Sequence, residues 1–328
     1  MTSANPLIRM RRLRTSPAMR ALVQEYALSV DDLIYPIFVE ENATERTAIA
    51  SLPGVFRETE ATLPAAVQEA AALGIKAIIL FGVSHNKDAL GSDSLKDDGL
   101  LARMIRAAKK AAPDMLICGY TDHGHCGPLK GGDVDNDATL ENLGKQAVAA
   151  ARAGADIIAP SGMMDGMVSA IRAALDKAGF TDRAILSYAV KYASCFYGPF
   201  RDAAGCSLGA YPDAPKNRKT YQMNPANAAE GLREAALDVA EGADMLMIKP
   251  GMPYLDMVQR VKNEFKMPTF AYQVSGEFAM LKAAAGNGWL GYDEALMESL
   301  LSFKRAGADA ILTYGALDAA RILTKKSG

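Results

Sequence analysis

The chain has 328 residues, half of them hydrophobic, and its 36 basic residues nearly balance its 38 acidic residues. This length suits a single α/β barrel, and the balanced charge excludes a global field that would attract nucleic acid or a membrane surface. The apolar runs are of strand length, which excludes a membrane span, and four cysteines in so long a chain fit a reducing compartment. We therefore expect a cytoplasmic protein.

The first 24 residues differ from the rest of the chain, because they contain five arginines and no acid. Such a segment can be a transit peptide, a nucleic-acid tail or an arm that grips another subunit. We predict an N-terminal oligomerisation arm at residues 1–30 and a catalytic barrel domain at residues 31–328. The apolar residues that favour an arm over a solvated tail are Leu7, Ile8, Met10 and Leu13.

After the arm, a helix-like stretch, a glycine and an apolar run recur. Gly74, Gly154, Gly242 and Gly307 each lie where a helix must end in a left-handed residue, so each marks a helix-to-strand junction. Eight strands alternate with helices, which predicts an α/β fold of the TIM (β/α)8 barrel class, with catalytic groups at the carboxyl ends of the strands. The predicted strands are 33–39, 77–82, 115–120, 157–161, 184–191, 245–250, 269–275 and 310–316.

Prolines affect two of the predicted boundaries. Pro36 is unfavourable within the first strand unless the sheet tolerates a missing N–H there. Asn224 can cap a helix that has Pro225 in its first turn.

Two predicted strands end in lysine, at Lys191 and Lys249. Pro250 and Gly251 end the second of these strands abruptly. Burial disfavours an ammonium, so a buried lysine is either paired or useful as a neutral amine that attacks a carbonyl. The alternative is a lysine that extends to the surface. Two lysines at the same end of one barrel indicate carbonyl chemistry.

The segment 203–221 is irregular and, with its neighbour Arg201, rich in basic residues. Long irregular loops of this kind are usually lids or disordered segments. A basic lid predicts an anionic substrate, and a merely solvated loop is the alternative. The other basic residues of the segment are Lys216, Arg218 and Lys219.

Strand three and its loop are dense in residue types that bind metals. Cys118 and Cys126 flank Asp122, His123 and His125. Structural zinc is held by four protein ligands and catalytic zinc by three. Either a histidine therefore joins the two cysteines, or the metal is weakly held or absent.

Polar residues also follow the fourth, seventh and eighth strands. Ser161 and Asp165 can orient a substrate amine or water, or cap a helix. Hydroxyls can bind a carboxylate without adding charge, and the acids nearby, Glu277 and Asp318, disfavour a phosphate site. The hydroxyl-bearing residues are Tyr272, Ser275 and Tyr314.

Together these residues resemble the porphobilinogen synthase (δ-aminolevulinic acid dehydratase) family, and the likeness runs from the arm to Tyr314. The runs 191–201 and 247–256 carry it most specifically. The resemblance implies a TIM barrel with an N-terminal arm, commonly assembled as a homo-octamer. It also implies a hydro-lyase of haem biosynthesis that joins two 5-aminolevulinate molecules into porphobilinogen with loss of two waters.

The resemblance also implies roles for individual residues. Lys249 matches the lysine that forms the Schiff base with the first substrate, Lys191 matches its partner for the second, and Asp114 matches a catalytic-site aspartate. The remaining matches are Ser275 and Tyr314 for the first carboxylate, Arg201, Arg218 and Gln222 for the second, and Ser161 as a polar pocket residue.

The metal positions depart from the family's pattern. Zinc-dependent members have three cysteines here, but Leu116 stands in the first position and only Cys118 and Cys126 remain. Magnesium-type members have aspartates at the latter two positions, which this chain also lacks. Either the two thiolates hold Zn2+ loosely with water or histidine, or catalysis needs no metal. A separate allosteric Mg2+ site is matched by Glu241, with Asp176 and Arg11 in its surroundings.

Two other functions fit parts of the pattern. A class I aldolase is also a barrel with a Schiff-base lysine, but it needs only one such lysine and usually a phosphate pocket. A catalytically silent barrel that binds a small acid, or serves as an assembly platform, is the alternative from another class.

Overall fold

The computed structural model of the chain describes residues 7–85, 88, 91–119, 127–205 and 215–326. These residues form twelve strands and eleven α-helices. The strands are β1 (Leu33–Glu40), β2 (Thr47–Ala48), β3 (Phe56–Glu58), β4 (Ala77–Val83), β5 (Leu116–Gly119), β6 (Leu129–Lys130), β7 (Asp133–Val134), β8 (Ile157–Ile158), β9 (Ala184–Lys191), β10 (Met245–Lys249), β11 (Thr269–Gln273) and β12 (Ala310–Thr313). The helices are α1 (Pro17–Leu22), α2 (Leu63–Ala72), α3 (Leu100–Ala111), α4 (Asn136–Ala153), α5 (Met167–Lys177), α6 (Gly198–Ala203), α7 (Ala229–Ala240), α8 (Leu255–Phe265), α9 (Ser275–Gly286), α10 (Tyr292–Ala306) and α11 (Ala316–Lys326).

Eight parallel strands close into a barrel. The order is β1, β4, β5, β8, β9, β10, β11 and β12, and β12 pairs with β1 through the register Leu33 to Ile311. The predicted (β/α)8 barrel is confirmed, and each predicted strand matches one of these eight. Pro36 lies within β1 and opposite Ile79, so the sheet does tolerate its missing N–H.

The hydrophobic core has two layers, as expected for a closed barrel with helices outside it. The inner layer fills the barrel and includes Phe38, Tyr188 and Met247. The outer layer lies between strands and helices and includes Ile248 and Leu300. Side chains of a strand alternate between the two layers, because successive Cβ atoms point to opposite faces of a sheet.

The glycines predicted to end helices adopt the expected conformation. Gly74, Gly154, Gly242 and Gly307 have φ between 86° and 108°, in the left-handed region that favours glycine. Gly154 and Gly307 directly follow α4 and α10. The repeat read from the sequence is therefore the helix-to-strand turn of the barrel.

Three local features differ from the sequence-based expectations. The β2–β3 pair extends the sheet beyond the barrel, and β6 pairs with β7 in a separate hairpin; neither was predicted. Asn224 does not cap a helix at Pro225: its side chain accepts from the Ala226 N–H, and α7 begins at Ala229. At Asn224 local hydrogen bonding therefore competes with the helix start that the pattern indicates.

The arm forms a 3-10 helix at Met10–Arg14 and then α1, whose first turn is capped by the Ser16 hydroxyl. None of the residues in these two helices is buried. The apolar side chains of the arm are largely exposed: Leu7 is 89% exposed, Ile8 78% and Leu22 81%. Within one chain the arm therefore has almost no core of its own.

Candidate active site

The two strand-end lysines lie side by side at the carboxyl end of the barrel. Lys191 ends β9, Lys249 ends β10, and the two residues are register partners. Adjacent strands are about 4.8 Å apart. Only 1% of Lys191 and 4% of Lys249 is exposed. The structure therefore brings the two predicted lysines together in a buried location.

A β-bulge makes both lysines face the same layer. On β10, Met247 points into the barrel, so Lys249, two residues later, does too. On β9, Tyr188 points inward, and strict alternation would turn Lys191 outward. However, four residues of β9, from Ser187 to Val190, lie opposite three of β10, from Leu246 to Ile248, which shifts the register by one. This extra residue returns Lys191 to the inner layer.

Aromatic rings surround the Lys249 amine. Its Nζ lies 4.5 Å from the Tyr272 ring centroid, 5.1 Å from Tyr188, 5.3 Å from Phe200 and 5.5 Å from Tyr197. The burial that these rings provide excludes water, and loss of water disfavours a charged amine; a second amine nearby acts in the same direction. A neutral amine is the nucleophile that carbonyl chemistry requires.

The Lys191 amine is held differently. Its Nζ donates a hydrogen bond to the backbone carbonyl of Ser161, and it lies 5.8 Å from the Tyr188 ring centroid. Ser161, predicted as a pocket residue, is 2% exposed, and its backbone carbonyl contacts the Lys191 amine. Asp165 is exposed, and its backbone N–H donates a hydrogen bond to the side-chain oxygen of Asn136.

Tyr197 connects the segment after β9 to the end of β10. Its hydroxyl lies 2.9 Å from the Tyr192 carbonyl and 3.2 Å from the Lys249 carbonyl. Burial, with smaller contributions from Glu277 and Tyr254, raises the pKa of Tyr197 well above its ordinary value. The hydroxyl therefore remains a neutral donor and fixes the backbone of Lys249.

The hydroxyls predicted to bind a carboxylate lie on the two neighbouring strand ends. Ser275 is fully buried at the start of α9, where its Oγ accepts from the Phe200 N–H at 2.9 Å. The hydroxyl of Tyr314 is 2.9 Å from that of Tyr272, the residue whose ring is nearest to Lys249. Burial raises the pKa of Tyr314, so it stays protonated.

Basic residues line a cavity of about 270 Å³ beside the loop that follows β9. Gln222 also lines it, is 4% exposed, and has an amide nitrogen without a hydrogen-bond partner among the described residues. A buried amide with an unused donor, next to cationic groups, fits a ligand that carries acceptor oxygens. The basic residues of this lining are Arg201, Lys216, Arg218 and Lys219.

The helix that carries Arg201 is fixed by the strands outside the barrel. The Arg57 guanidinium donates to the Ala203 carbonyl at 2.7 Å and to the Asp202 carbonyl at 2.5 Å. Ser51 donates to the Asp202 carboxylate at 2.5 Å. The β2–β3 extension therefore anchors α6 and with it one wall of the basic cavity.

The structure does not bring Asp114 to this site. Asp114 is exposed and precedes β5, at the amino end of the barrel, whereas the lysines lie at the carboxyl end. Leu116 is the first residue of β5 and is 42% exposed, so it too lies far from a strand's carboxyl end. The assignment of Asp114 as a catalytic aspartate therefore needs correction, because β5 is only four residues long and starts after it.

Cys118 does not fit a metal ligand in this structure. It is fully buried in the inner core layer and pairs with Ile157, which in turn pairs with Ala184, the first residue of β9. Burial raises the pKa of its thiol to about 12, so the thiol is protonated in this apolar layer. The other predicted ligands of this segment, Cys126 with Asp122, His123 and His125, lie outside the described residues.

The residues predicted to surround an allosteric magnesium ion have other partners. Glu241 accepts from the Ser169 N–H at 3.1 Å. Asp176 pairs with Arg172 at 2.9 Å. Arg11 lies in the exposed arm. Across the residues that the structure describes, no three His, Cys, Asp or Glu side chains form a group that could hold a metal ion.

Sequence reasoning missed the aromatic residues around Lys249. Tyr188, Tyr197 and Phe200 are not distinguished by spacing from ordinary core residues. The only available signal was the specificity of the run 191–201, which contains two of them. Their role follows from tertiary contacts with a lysine on another strand.

None of the helices in the described part of the chain combines the length and apolar character needed to cross a bilayer.

Comparisons with known proteins identify the family of the chain. A model of the family described as delta-aminolevulinic acid dehydratase matches residues 7–322. The delta-aminolevulinic acid dehydratase of Escherichia coli (strain K12) is 53% identical over 318 residues, which cover 95% of this chain and 96% of that protein. The enzyme of the same name from Halalkalibacterium halodurans is 52% identical over 324 residues and covers 97% of each.

A solved structure has the same fold. It is the crystal structure of delta-aminolevulinic acid dehydratase (porphobilinogen synthase) from Toxoplasma gondii ME49 in complex with the reaction product porphobilinogen. The TM-score is 0.92 at 46% sequence identity, and the match covers 97% of this chain and 92% of that one. The chain therefore belongs to the delta-aminolevulinic acid dehydratase (porphobilinogen synthase) family.

Proposed function

We propose that Lys249 and Lys191 are the two amines on which this chain joins two molecules of 5-aminolevulinate into porphobilinogen. As a member of its family the chain is a porphobilinogen synthase, a hydro-lyase of porphyrin biosynthesis. The observation that carries the assignment is the register pairing of two buried lysines that both face the barrel interior. A single Schiff-base lysine, as in an aldolase, would not need the second.

The proposed steps balance with the loss of two waters. Each lysine amine attacks the ketone of one substrate and forms an imine with release of one water. One new carbon–carbon bond and one new carbon–nitrogen bond then join the substrates, and each of these steps releases a lysine amine. A final proton loss completes the pyrrole ring. Imine formation makes the adjacent carbon acidic enough for this chemistry near neutral pH.

Two groups of residues fit the substrate carboxylates. Ser275 and Tyr314 follow β11 and β12, the next two strands of the barrel after β10, and offer neutral hydroxyls to the first carboxylate. Arg201, Arg218 and Gln222 line the basic cavity and offer charged and amide N–H groups to the second. Guanidinium groups bind carboxylates in a bidentate manner, so we expect Arg218→Gln to raise KM more than it lowers kcat.

Borohydride trapping tests the assignment. With 5-aminolevulinate, we expect covalent labelling of Lys249 in the parent chain and its loss in Lys249→Met. Lys191→Met should still form the first imine but make no pyrrole. Lys110→Met, a change at an exposed lysine, serves as the matched control. Labelling by sugar phosphates alone would support an aldolase, and no labelling at all would support a binding barrel.

Enzymes of this family are generally metal-dependent, but the comparisons do not name the ion for this chain. Cys118 does not fit a zinc ligand, and none of the steps proposed above is routed through a metal ion. We propose Mg2+ as an allosteric ligand near Glu241, with Asp176 and with Arg11 supplied by the arm, because hard carboxylates and water suit this ion. Magnesium should then change activity or assembly size, and no response in either would remove the proposal.

We also propose that the chain forms a homo-oligomer, an octamer by its resemblance to the family, and works in the cytoplasm. The exposed apolar side chains of the arm support this assembly. Leu7, Ile8 and Leu22 are each more than three quarters exposed in the single chain.

A further inference from the structure

One fully buried carboxylate links two strand ends of the active site. Glu277 lies in the first turn of α9 and is 0% exposed. Its Oε1 accepts from the Met252 N–H at 2.8 Å, and its Oε2 accepts from the Val274 N–H at 2.6 Å. Burial raises the pKa of Glu277 to about 8, and the backbone N–H groups of Val274, Met252 and Gly251, which all donate to this carboxyl group, oppose the rise. Glu277 thus accepts hydrogen bonds from three backbone N–H groups.

These donors belong to two functional segments. Gly251 and Met252 follow Lys249 by two and three residues, at the carboxyl end of β10. Val274 follows β11 and directly precedes Ser275. Glu277 therefore joins the segment that carries the lysine to the segment that carries the hydroxyl proposed to bind the first carboxylate.

The segment after Lys249 is also confined on the side away from Glu277. A Cβ atom added at Gly251 would lie 2.9 Å from the Tyr272 carbonyl and would also meet the Phe303 ring. The backbone therefore passes directly against β11 on one side and is held by Glu277 on the other. A change in either contact should shift the Lys249 amine relative to the substrate.

We propose that Glu277 is a positioning residue that fixes Lys249 relative to Ser275, an inference that rests on the roles proposed for those two residues. Only a carboxylate offers two oxygens that both accept, so one side chain can satisfy donors from both segments. Glutamine replaces one of these acceptors with an NH2 group that faces a backbone donor. Aspartate keeps both oxygens but is one methylene shorter.

The two variants separate positioning from helix capping. Glu277→Asp is expected to keep the bond to the Val274 N–H and lose the bonds to Gly251 and Met252. Glu277→Gln is expected to lose either the bond to the Val274 N–H or the bonds to Gly251 and Met252, because only one of its two terminal atoms accepts. Because a small displacement of a reacting group costs a large factor in rate, we expect kcat to fall about tenfold or more in both variants, with KM changed less than about threefold.

The experiment measures kcat and KM per folded enzyme, together with the rate at which borohydride traps 5-aminolevulinate on Lys249. Trapping should slow in parallel with kcat. Glu298→Gln, at an exposed position of α10, is the matched control and should leave all three quantities unchanged. If Glu277→Gln does not fold, Glu277→Asp carries the same test with its capping bond retained.

Two results would overturn the inference in distinguishable ways. Unchanged kcat and trapping in the folded variants, with Lys249 labelled in the parent enzyme, would leave only a stabilising role for Glu277 and would not affect the proposed function. Failure to label Lys249 in the parent enzyme would overturn the proposed function and, with it, this inference.

Discussion

Lys249 combines burial with an aromatic environment, and the combination suits an amine that changes charge during a reaction. The low exposure favours the neutral form that attacks a ketone. The faces of nearby rings, such as that of Tyr272 at 4.5 Å, stabilise a cation such as a protonated imine. The residue type alone could be read from the sequence, whereas this double property comes from its neighbours.

The two described cysteines should differ sharply in reactivity. Cys118 is buried with a thiol pKa of about 12, and Cys195 is exposed. Because the thiolate is the reactive form, we expect iodoacetamide to modify Cys195 in the native protein and to leave Cys118 unmodified. Peptide mapping by mass spectrometry measures both sites in one sample, and denatured protein provides the control.

Replacement of Cys118 tests directly whether this residue is a ligand of an essential zinc ion. Cys118→Ala should keep turnover within about twofold and cost about 1 kcal/mol of stability, because it removes one buried atom from the inner core. Pyrrole formation from 5-aminolevulinate, with and without a chelator, measures the effect. A large loss of activity together with loss of bound zinc would contradict the conclusion that Cys118 is a core residue and not a metal ligand.

Asp238 should make stability depend on pH. Burial raises its pKa to about 7 from an ordinary value of 3.8, Glu241 and Glu234 add to the rise, and the hydrogen bond from Ser187 opposes it. The folded chain therefore binds more protons than the unfolded chain between these two values. Stability is lost as pH rises through this window, and the loss is complete above about pH 7.

Asp238→Asn removes this titration. The amide can still accept from Ser187, so the variant should gain thermal stability relative to the parent at pH 8, and gain less at pH 5. Melting temperatures at the two pH values measure the difference. Asp182→Asn, at a carboxylate that is 72% exposed, should follow the parent at both. Parallel curves for Asp238→Asn and the parent would show that Asp238 does not change its protonation state between the two pH values, which would contradict the explanation.

At the scale of elements, the glycine at each helix-to-strand turn is needed because the backbone there is left-handed. Gly154 has φ of 108°, and a Cβ atom there would lie 3.4 Å from Lys109, which is ordinary contact. The cost of Gly154→Ala is therefore conformational, about 1 kcal/mol, and should lower Tm by about 2 °C without changing kcat.

A second glycine, Gly286, provides a control in which alanine should stabilise the chain instead of destabilising it. Gly286 is the last residue of α9, without the left-handed backbone, and a Cβ atom there meets nothing within 4 Å. Gly286→Ala should stabilise the chain by up to about 1 kcal/mol, because alanine loses less conformational entropy in a helix. Calorimetry of both variants measures the contrast, and equal shifts of the same sign would contradict the explanation.

Strand β9 shows where a sequence pattern misleads. Strict alternation from Tyr188 places Lys191 on the outer layer, and only the extra residue paired against β10 returns it to the inner one. The strand, its length and its final lysine could be predicted from apolar composition. The bulge could not, because it is a property of the pairing between two strands.

At the scale of the whole molecule, the arm has exposed apolar residues without a packing surface in its own chain. Removal of residues 1–24 should therefore reduce the assembly to a smaller one, and analytical ultracentrifugation measures the change. Leu7→Asp with Ile8→Asp keeps the arm's length and should have the same effect, because charged residues are excluded from an apolar interface. Unchanged sedimentation of both variants would contradict an oligomerisation role.

The sequence by itself determined the barrel, its eight strands and the two lysines at strand ends, because hydrophobic periodicity and glycine caps are local signals. Only the tertiary structure decided which polar residues meet. It excluded Asp114 from the site, buried Cys118 in the core and surrounded Lys249 with rings from β9, β11 and the segment after β9. The reason is physical: which end of a short strand a residue occupies, and which layer it faces, depends on the register with neighbouring strands.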